Sequence, residues 1–384
     1  MRILFLFLLL GPAIATALAG CVTQEHHMHD PLSQERPIQR HLMQERLLQE
    51  EWTQEHVMQQ PAIDQLMHRY DGTVPGASLL VLRNGVALVH RGYGLSDIEH
   101  GVEAGPATNY RLASVTKQFT ASAILLLVED GRLLLDDRVR KWLPSLPASD
   151  DAITLRHLLT HASGLIDYED VMPDTVTEQL RDADVLRLLE GQARTYFTPG
   201  TDYRYSNSGY SLLALVVERA SGMCFQDFLH ERIFLPLGMH DTLAYVRGGP
   251  EVPHRAYGYS EIEGRWTRTD QSLTSAVLGD GGIYSSIDDL AKWDAALYDD
   301  RLLNEASRRM ASTPWTKTDD PAVEYGFGWR ITGDSLWHSG ETIGFRNVIV
   351  RYPKQRLTVI LLSNRDDPEP YRTALAIAKL YLEP

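Results

Sequence analysis

The chain reads as an α+β protein, with strand-patterned segments at both ends of its body enclosing a long, mostly helical stretch. The first sign is a hairpin: Ser78 to Arg83 and Val86 to His90 are joined by Asn84-Gly85, a pair suited to a tight type I′ turn. The second is a crowd of strand-like runs near the other end, Phe327 to Ile331, Ser335 to His338, Arg346 to Tyr352 and Leu357 to Ser363, followed by a closing helix from Arg372 to Leu382. The third is helical spacing in between. Ser114 to Asp130 carries Ala121, Ile124, Leu125 and Val128 on one stripe and stops at Gly131, and Ser208 to Ser221 stops at Gly222. The expected layout is a sheet lobe from 61–111 and 278–384 with a helical lobe, 112–277, inserted into it. Two lobes also suit the size, because 384 residues at 43% hydrophobic content exceed the usual single core.

The chain opens with an export signal. Arg2 precedes the apolar run Ile3 to Leu10, Gly11-Pro12 interrupt it, and small residues follow at Ala15, Ala17, Ala19 and Gly20. A membrane-spanning helix is the alternative, but the run is at the short end for one. Leu18-Ala19-Gly20-Cys21 resembles the lipobox of bacterial lipoproteins, which implies cleavage before Cys21 and lipidation of its thiol. Buried acyl chains, at about 0.8 kcal/mol per methylene, would then hold the protein on a membrane. Val22 stands where inner-membrane lipoproteins often carry Asp, so the resemblance points to the periplasmic face of the outer membrane in a Gram-negative host. The remaining cysteine, Cys224, has no intrachain partner if Cys21 carries lipid, and is expected as a small buried hydrophobe.

Residues 22–60 are rich in Gln, Glu, His and Met, with Gln-Glu pairs recurring every ten residues at Gln24, Gln34, Gln44 and Gln54. Pro31 and Pro37 break helix early, while Met43 to Met58 can form one, which describes a partly helical spacer. The cluster His26-His27-Met28-His29 has metal-ligand chemistry, but a solvated tract is the simpler reading. A formal net charge of -14 argues against non-specific nucleic-acid binding, since the phosphate backbone would be repelled. It does not exclude an anionic small substrate.

Three strings carry the chemistry. In Ser114-Val115-Thr116-Lys117 the serine begins a helix, where an unpaired backbone N–H and the helix dipole favour negative charge, and Lys117 lies one turn on with its amine on the same face. An N-cap serine with a surface lysine would look the same, but the apolar Phe119 and Ile124 argue against a simply solvated lysine. Tyr205-Ser206-Asn207 follows the turn signal Pro199-Gly200 and precedes a helix, which places a phenol on a loop; a core tyrosine and an N-cap asparagine are the bland reading. His-x-Gly occurs twice. His338-Ser339-Gly340 ends a strand and runs into a glycine-punctuated turn, whereas His90-Arg91-Gly92 belongs to the first hairpin and reads as structural. Together the strings supply a hydroxyl nucleophile, candidate bases and carbonyl-binding donors for acyl transfer.

With these strings in this order, the chain resembles the serine penicillin-recognising enzymes, in the branch of class C β-lactamases, D-alanyl-D-alanine carboxypeptidases, D-aminopeptidases and related esterases. The match runs from about Asp64 to Leu382 and includes Tyr110-Arg111-Leu112-Ala113, the segment His157 to Leu165, and Gly281 to Ser286. The resemblance implies a β-lactamase-like fold, an antiparallel sheet covered by helices beside a helical lobe, with the site in the cleft between them. It implies Ser114 as nucleophile, Lys117 and Tyr205 as the proton-handling pair, and Asn207 as a substrate-amide contact. The backbone N–H groups of Ser114 and Glu341 would form the oxyanion hole, with Ser339 and Gly340 beside it and His338 lining the opposite wall. No cofactor or metal is implied; the substrate would be a small molecule or peptide.

Two departures bear on substrate. His338 stands where class C β-lactamases carry lysine, and Glu341 where a small hydroxyl residue helps bind the substrate carboxylate. Facing carboxylates cost several kcal/mol when desolvated, so an inward Glu341 would favour a neutral ester or a cationic amine unless Arg346 neutralises it. A phenol and an ammonium both hold their protons at neutral pH, and giving either up costs about 4 kcal/mol, which leaves the general base open between Tyr205 and Lys117. Losing the third-string lysine removes a cation that would steady a phenolate, and this favours Lys117. His157 and His161 share a helix face at i, i+4, as in zinc hydrolases, but the Glu of His-Glu-x-x-His is absent and no Gly-x-Ser-x-Gly elbow exists. The alternatives to an ester, amide or D-amino-acid peptide hydrolase are a penicillin-binding β-lactamase or D,D-carboxypeptidase, and a catalytically retired fold serving as an envelope binding module.

Overall fold

A computed structural model describes residues 59–382. The signal peptide expected at 1–21 with its lipidation site Cys21, and nearly all of the tether expected at 22–60, lie outside the described residues. A helix described from 59 to 67 already includes Gln59 and Gln60, and its Ile63 and Met67 are fully buried.

The core is one eight-stranded antiparallel sheet. Its strand order is Thr316–Lys317, Glu324–Tyr325, Arg330–Thr332, Ser335–Thr342, Phe345–Tyr352, Leu357–Ser363, Ala77–Arg83 and Val86–Tyr93. The N-terminal hairpin therefore completes a sheet whose other strands come from the far end of the chain. Asn84 and Gly85 both have positive φ, 54° and 80°, as a type I′ turn requires. Along each central strand alternate residues enter two different cores. Leu79, Val81, Val348, Val350, Val359 and Leu361 pack with the closing helix Tyr371–Leu382, while Leu80, Leu82, Ile349, Ile360 and Leu362 pack with Phe119, Ile124 and Trp293. Cover on both faces explains why these strands read as unbroken apolar runs.

Two strands differ from expectation. The run Phe327 to Ile331 becomes a strand only at Arg330–Thr332, because Gly328 turns the chain at φ 74° with its backbone against the nucleophile helix. A Cβ there would lie 2.8 Å from the Lys117 carbonyl oxygen, so residue 328 is packing, not pairing. In the other direction, the Ser335–Thr342 strand extends through His338-Ser339-Gly340, which lie inside the ladder and not at its end.

Helix Lys117–Glu129 is entered through a 3-10 turn, Ala113–Thr116, so Ser114 sits just ahead of the α-helix proper. A three-stranded ribbon, Tyr110–Arg111, Ile283–Ser285 and Leu243–Ala244, ties the approach to Ser114 to the segment around Gly281. Helix Asn207–Ser221 is capped by the Ser206 hydroxyl, which accepts from the Gly209 N–H, and ends at Gly222 with φ 78°. Ser206, not Asn207, is thus the N-cap, and Asn207 is left free for other contacts. Cys224 is exposed, contrary to the buried position expected, because the Gly222 turn lifts it to the start of a short helix, Phe225–Leu229. No helix among the described residues is long and apolar enough to cross a membrane.

Candidate active site

Ala113 holds φ at +49°, a costly conformation for a residue with a Cβ, and so sets the direction in which Ser114 leaves the chain. Gly340 lies across this bend. A Cβ on it would fall 2.0 Å from the Leu112 carbonyl oxygen and 3.3 Å from the Ser114 nitrogen, so a glycine is needed for the third string to lie against the first. Ser114 occupies the first turn of the 3-10 segment, where its N–H has no acceptor within the turn.

Lys117 is fully buried, and its Nζ has three neighbours: Ser114 Oγ at 3.0 Å, Asn207 Oδ1 at 2.9 Å and the Asp280 carbonyl oxygen at 2.9 Å. Two of the three can only accept. A neutral amine has two N–H bonds, which these acceptors take up, and one lone pair, which then faces the Ser114 hydroxyl. Asn207 is pinned at both ends, since its Nδ2 donates to Glu169 Oε1 at 3.2 Å and its backbone N–H to Asp167 Oδ2 at 2.9 Å. It therefore orients Lys117, while its Nδ2 keeps a second N–H in a residue that lines the cleft.

Tyr205 lies beside this pair. Its ring centroid is 4.9 Å from Lys117 Nζ, and its hydroxyl has no hydrogen-bond partner among the described residues. The ring is held by packing on His161, with centroids 4.3 Å apart. His161 follows the short helix Leu155–Leu159 and has φ 58°, so it does not share a helix face with His157. The two part company in role as well. His157 accepts from the Thr154 N–H in a capping box, whereas buried His161 accepts the Ser206 N–H at Nδ1, leaving its Nε2 without a partner among the described residues. Among the described residues no cluster of three metal-ligating side chains occurs.

His338 does not line the cleft as expected; it is 1% exposed. Its Nδ1 lies 2.6 Å from the Ser339 carbonyl oxygen, so Nδ1 carries the proton, and Nε2 accepts from the Tyr325 hydroxyl at 2.9 Å. Burial, aided by the Arg330 and Lys117 charges, pushes His338 well below the usual histidine range. The third-string wall therefore carries a neutral ring. The same causes, burial first and then Lys117, His338 and Arg330, hold His161 neutral.

The opposite wall is acidic. A small cleft of about 50 Å³ is lined by Ser114, Arg111, Glu169, Asn207, Asp280, Glu341 and Thr342 among others. Burial pushes Asp280 up to about 7, with Asp182 and Glu169 adding to it and Lys117 opposing. Burial, then Asp167, raises Glu169. Asp182 is pushed up to about 6 by burial while accepting the Leu278 and Gly279 N–H groups, and so fixes the segment that offers the Asp280 carbonyl to Lys117. Glu341 is half exposed and faces Arg346 across the ladder with charges 3.7 Å apart, so its inward repulsion is blunted. Of these, Gly281 stood inside a segment already singled out, but Asp280, Glu169, Tyr325 and Arg330 belong to no string; a carboxylate between glycines at 279–281 was the one available signal.

A family model described as Beta-lactamase matches residues 57–382. Penicillin-binding protein 4* of Bacillus subtilis is 35% identical over 331 residues, covering 80% of this chain and 71% of that protein. The chain belongs to the beta-lactamase family. Protein flp of Staphylococcus aureus is 30% identical over 311 residues, covering 76% of this chain but only 60% of flp. The crystal structure of D-amino acid amidase from Ochrobactrum anthropi superposes with a TM-score of 0.72 at 26% identity, covering 84% of this chain and 97% of that one. Family membership makes the chain a member of a serine hydrolase superfamily.

Proposed function

We propose that this protein hydrolyses a neutral ester or amide through an acyl-enzyme on Ser114, with preference for substrates bearing an amine near the scissile bond, such as D-amino-acid amides or peptides. The observation that carries this is the three-way seating of Lys117 Nζ on Ser114 Oγ, Asn207 Oδ1 and the Asp280 carbonyl. Lys117 takes the Ser114 proton as Oγ bonds to the carbonyl carbon, and the resulting oxyanion lies against the backbone N–H groups of Ser114 and Glu341. The carbonyl re-forms as the bond to the leaving oxygen or nitrogen breaks, and that atom takes a proton relayed by Lys117 and Tyr205. Water, giving a proton to Lys117, then attacks the acyl carbon; the bond from that carbon to Ser114 Oγ breaks, Oγ takes the proton from Lys117, and the carboxylic acid leaves.

The lining supports a substrate amine, since the carboxyl groups of Glu169, Asp280 and Glu341 lie in the cleft with Ser114 and can accept its hydrogens. The third string brings a buried, neutral histidine and no lysine cation, which speaks against a free carboxylate and hence against penicillins. The likeness to a D-amino acid amidase is in keeping with this. A fluorophosphonate probe is expected to label wild type and not Ser114→Ala; an unlabelled, folded wild type would favour the retired binding module instead. A panel of D-amino-acid amides, short esters and a fluorescent penicillin then ranks substrates, with penicillin expected last. For the anchor we propose envelope attachment through Cys21, tested by radiolabelled palmitate uptake that Cys21→Ala should abolish.

A further inference from the structure

We propose that Arg330 is a positioning residue acting through Tyr205: it supplies, from a neighbouring strand, the cation beside the phenol that the third string lacks. The proposal rests on the acyl-enzyme reading above. Its starting point is a vacancy of charge. His338 cannot donate toward the site, because Ser339 and Tyr325 occupy both ring nitrogens. His161, packed on the Tyr205 ring, is likewise neutral and tied to the Ser206 N–H.

Arg330 begins the strand paired with the third string, directly opposite Trp337. That register carries its guanidinium over the Tyr205 ring, 5.5 Å from the centroid, with Trp337 at 5.4 Å and Tyr325 at 6.0 Å. The groups in contact with the Tyr205 ring are Lys117, His161, Tyr325, His338 and Arg330; Tyr203 and Tyr210 pack on His161, and Tyr203 feels both Arg330 and Asp319. Arg330 Nε is buried with no hydrogen-bond partner among the described residues, and Arg330 forms no ion pair there. No carboxylate among the described residues pairs with it. When Lys117 is a neutral amine, Arg330 is the permanent cation next to the phenol, because a guanidinium does not deprotonate in proteins. Negative charge developing on the Tyr205 oxygen as protons pass is what this charge steadies.

The test is the rate of Ser114 labelling by a fluorophosphonate as a function of pH, in wild type, Arg330→Gln, Arg330→Lys and each change combined with Tyr205→Phe. Arg330→Gln is expected to slow labelling about tenfold at neutral pH and to move the half-maximal rate about one pH unit alkaline, since removing a cation disfavours an anion. Arg330→Lys is expected to restore most of the rate. In the Tyr205→Phe background Arg330→Gln is expected to cost nothing further, the mark of action through Tyr205. If Gln does not fold, Arg330→Met keeps the apolar stem and serves in its place. An unshifted pH dependence, or an equal loss with and without the Tyr205 hydroxyl, overturns the proposal while leaving the nucleophile assignment standing. Absence of any labelling in wild type instead overturns the acyl-enzyme reading.

Discussion

The two walls flanking Lys117 bury opposite kinds of titratable group and drive both toward neutrality. On the third-string side, His161 and His338 lie among tyrosines near two cations, and burial plus like charge strips their protons. On the Asp280 side, Asp167, Glu169, Asp182 and Asp280 are all raised by burial, with like charge adding to it at Glu169 and Asp280. Lys117 sits between, hydrogen-bonded to the acidic side and stacked on the aromatic side. Burial is the first cause on both walls and moves each group toward its own neutral form, the histidines down and the carboxyls up; neighbouring charges add to or oppose that shift.

The largest effect expected from breaking this contrast is on Asn207. Asn207→Leu removes an acceptor of Lys117 and the tie to Glu169, and labelling of Ser114 should fall by two to three powers of ten, the range typical of losing a general-base contribution. Next is Tyr325→Phe. It leaves His338 Nε2 buried without a donor, and denaturant unfolding should show a loss of about 1–3 kcal/mol.

The pH dependence of stability separates the walls. Each histidine binds fewer protons folded than unfolded below its ordinary value near 6.5, so stability falls as pH drops through and below that point. Asp280 behaves oppositely, since its folded value is raised from 3.8 to about 7. It binds more protons folded than unfolded across that window, and its stabilising contribution is lost as pH rises from about 4 to about 7. Asp280→Asn should therefore melt progressively higher relative to wild type between pH 5 and pH 8; a constant difference would mean that Asp280 ionises normally. The smallest effect is at Glu341, whose ion pair with Arg346 is long and solvated. Glu341→Gln should change stability by less than about 1 kcal/mol while lowering KM for carboxylate-bearing substrates.

What was legible in the sequence follows from the range of the interactions involved. Strings such as Asn84-Gly85 or Ser114-x-x-Lys117 declare themselves because turn conformation and helix spacing are local. The α+β layout and the closing helix followed from periodicity for the same reason. The pairing of Arg330 with Trp337 next to the third string, the seat of the Asp280 carbonyl on Lys117 and the Tyr325 bond to His338 depend on sheet order and loop approach. Cys224 and the strand expected at Phe327 failed similarly: one glycine at positive φ exposed the first, and another against the nucleophile helix displaced the second. His157 and His161 looked like a helical pair until Thr160 ended the helix between them.

Lys117→Arg tests most directly whether Lys117 acts as a proton acceptor and not merely as a charge, because it keeps a cation in place but cannot take the Ser114 proton. A folded Lys117→Arg protein is expected to leave Ser114 unlabelled by fluorophosphonate across pH 6 to 9. Labelling at the wild-type rate would contradict the account, since charge alone would then suffice.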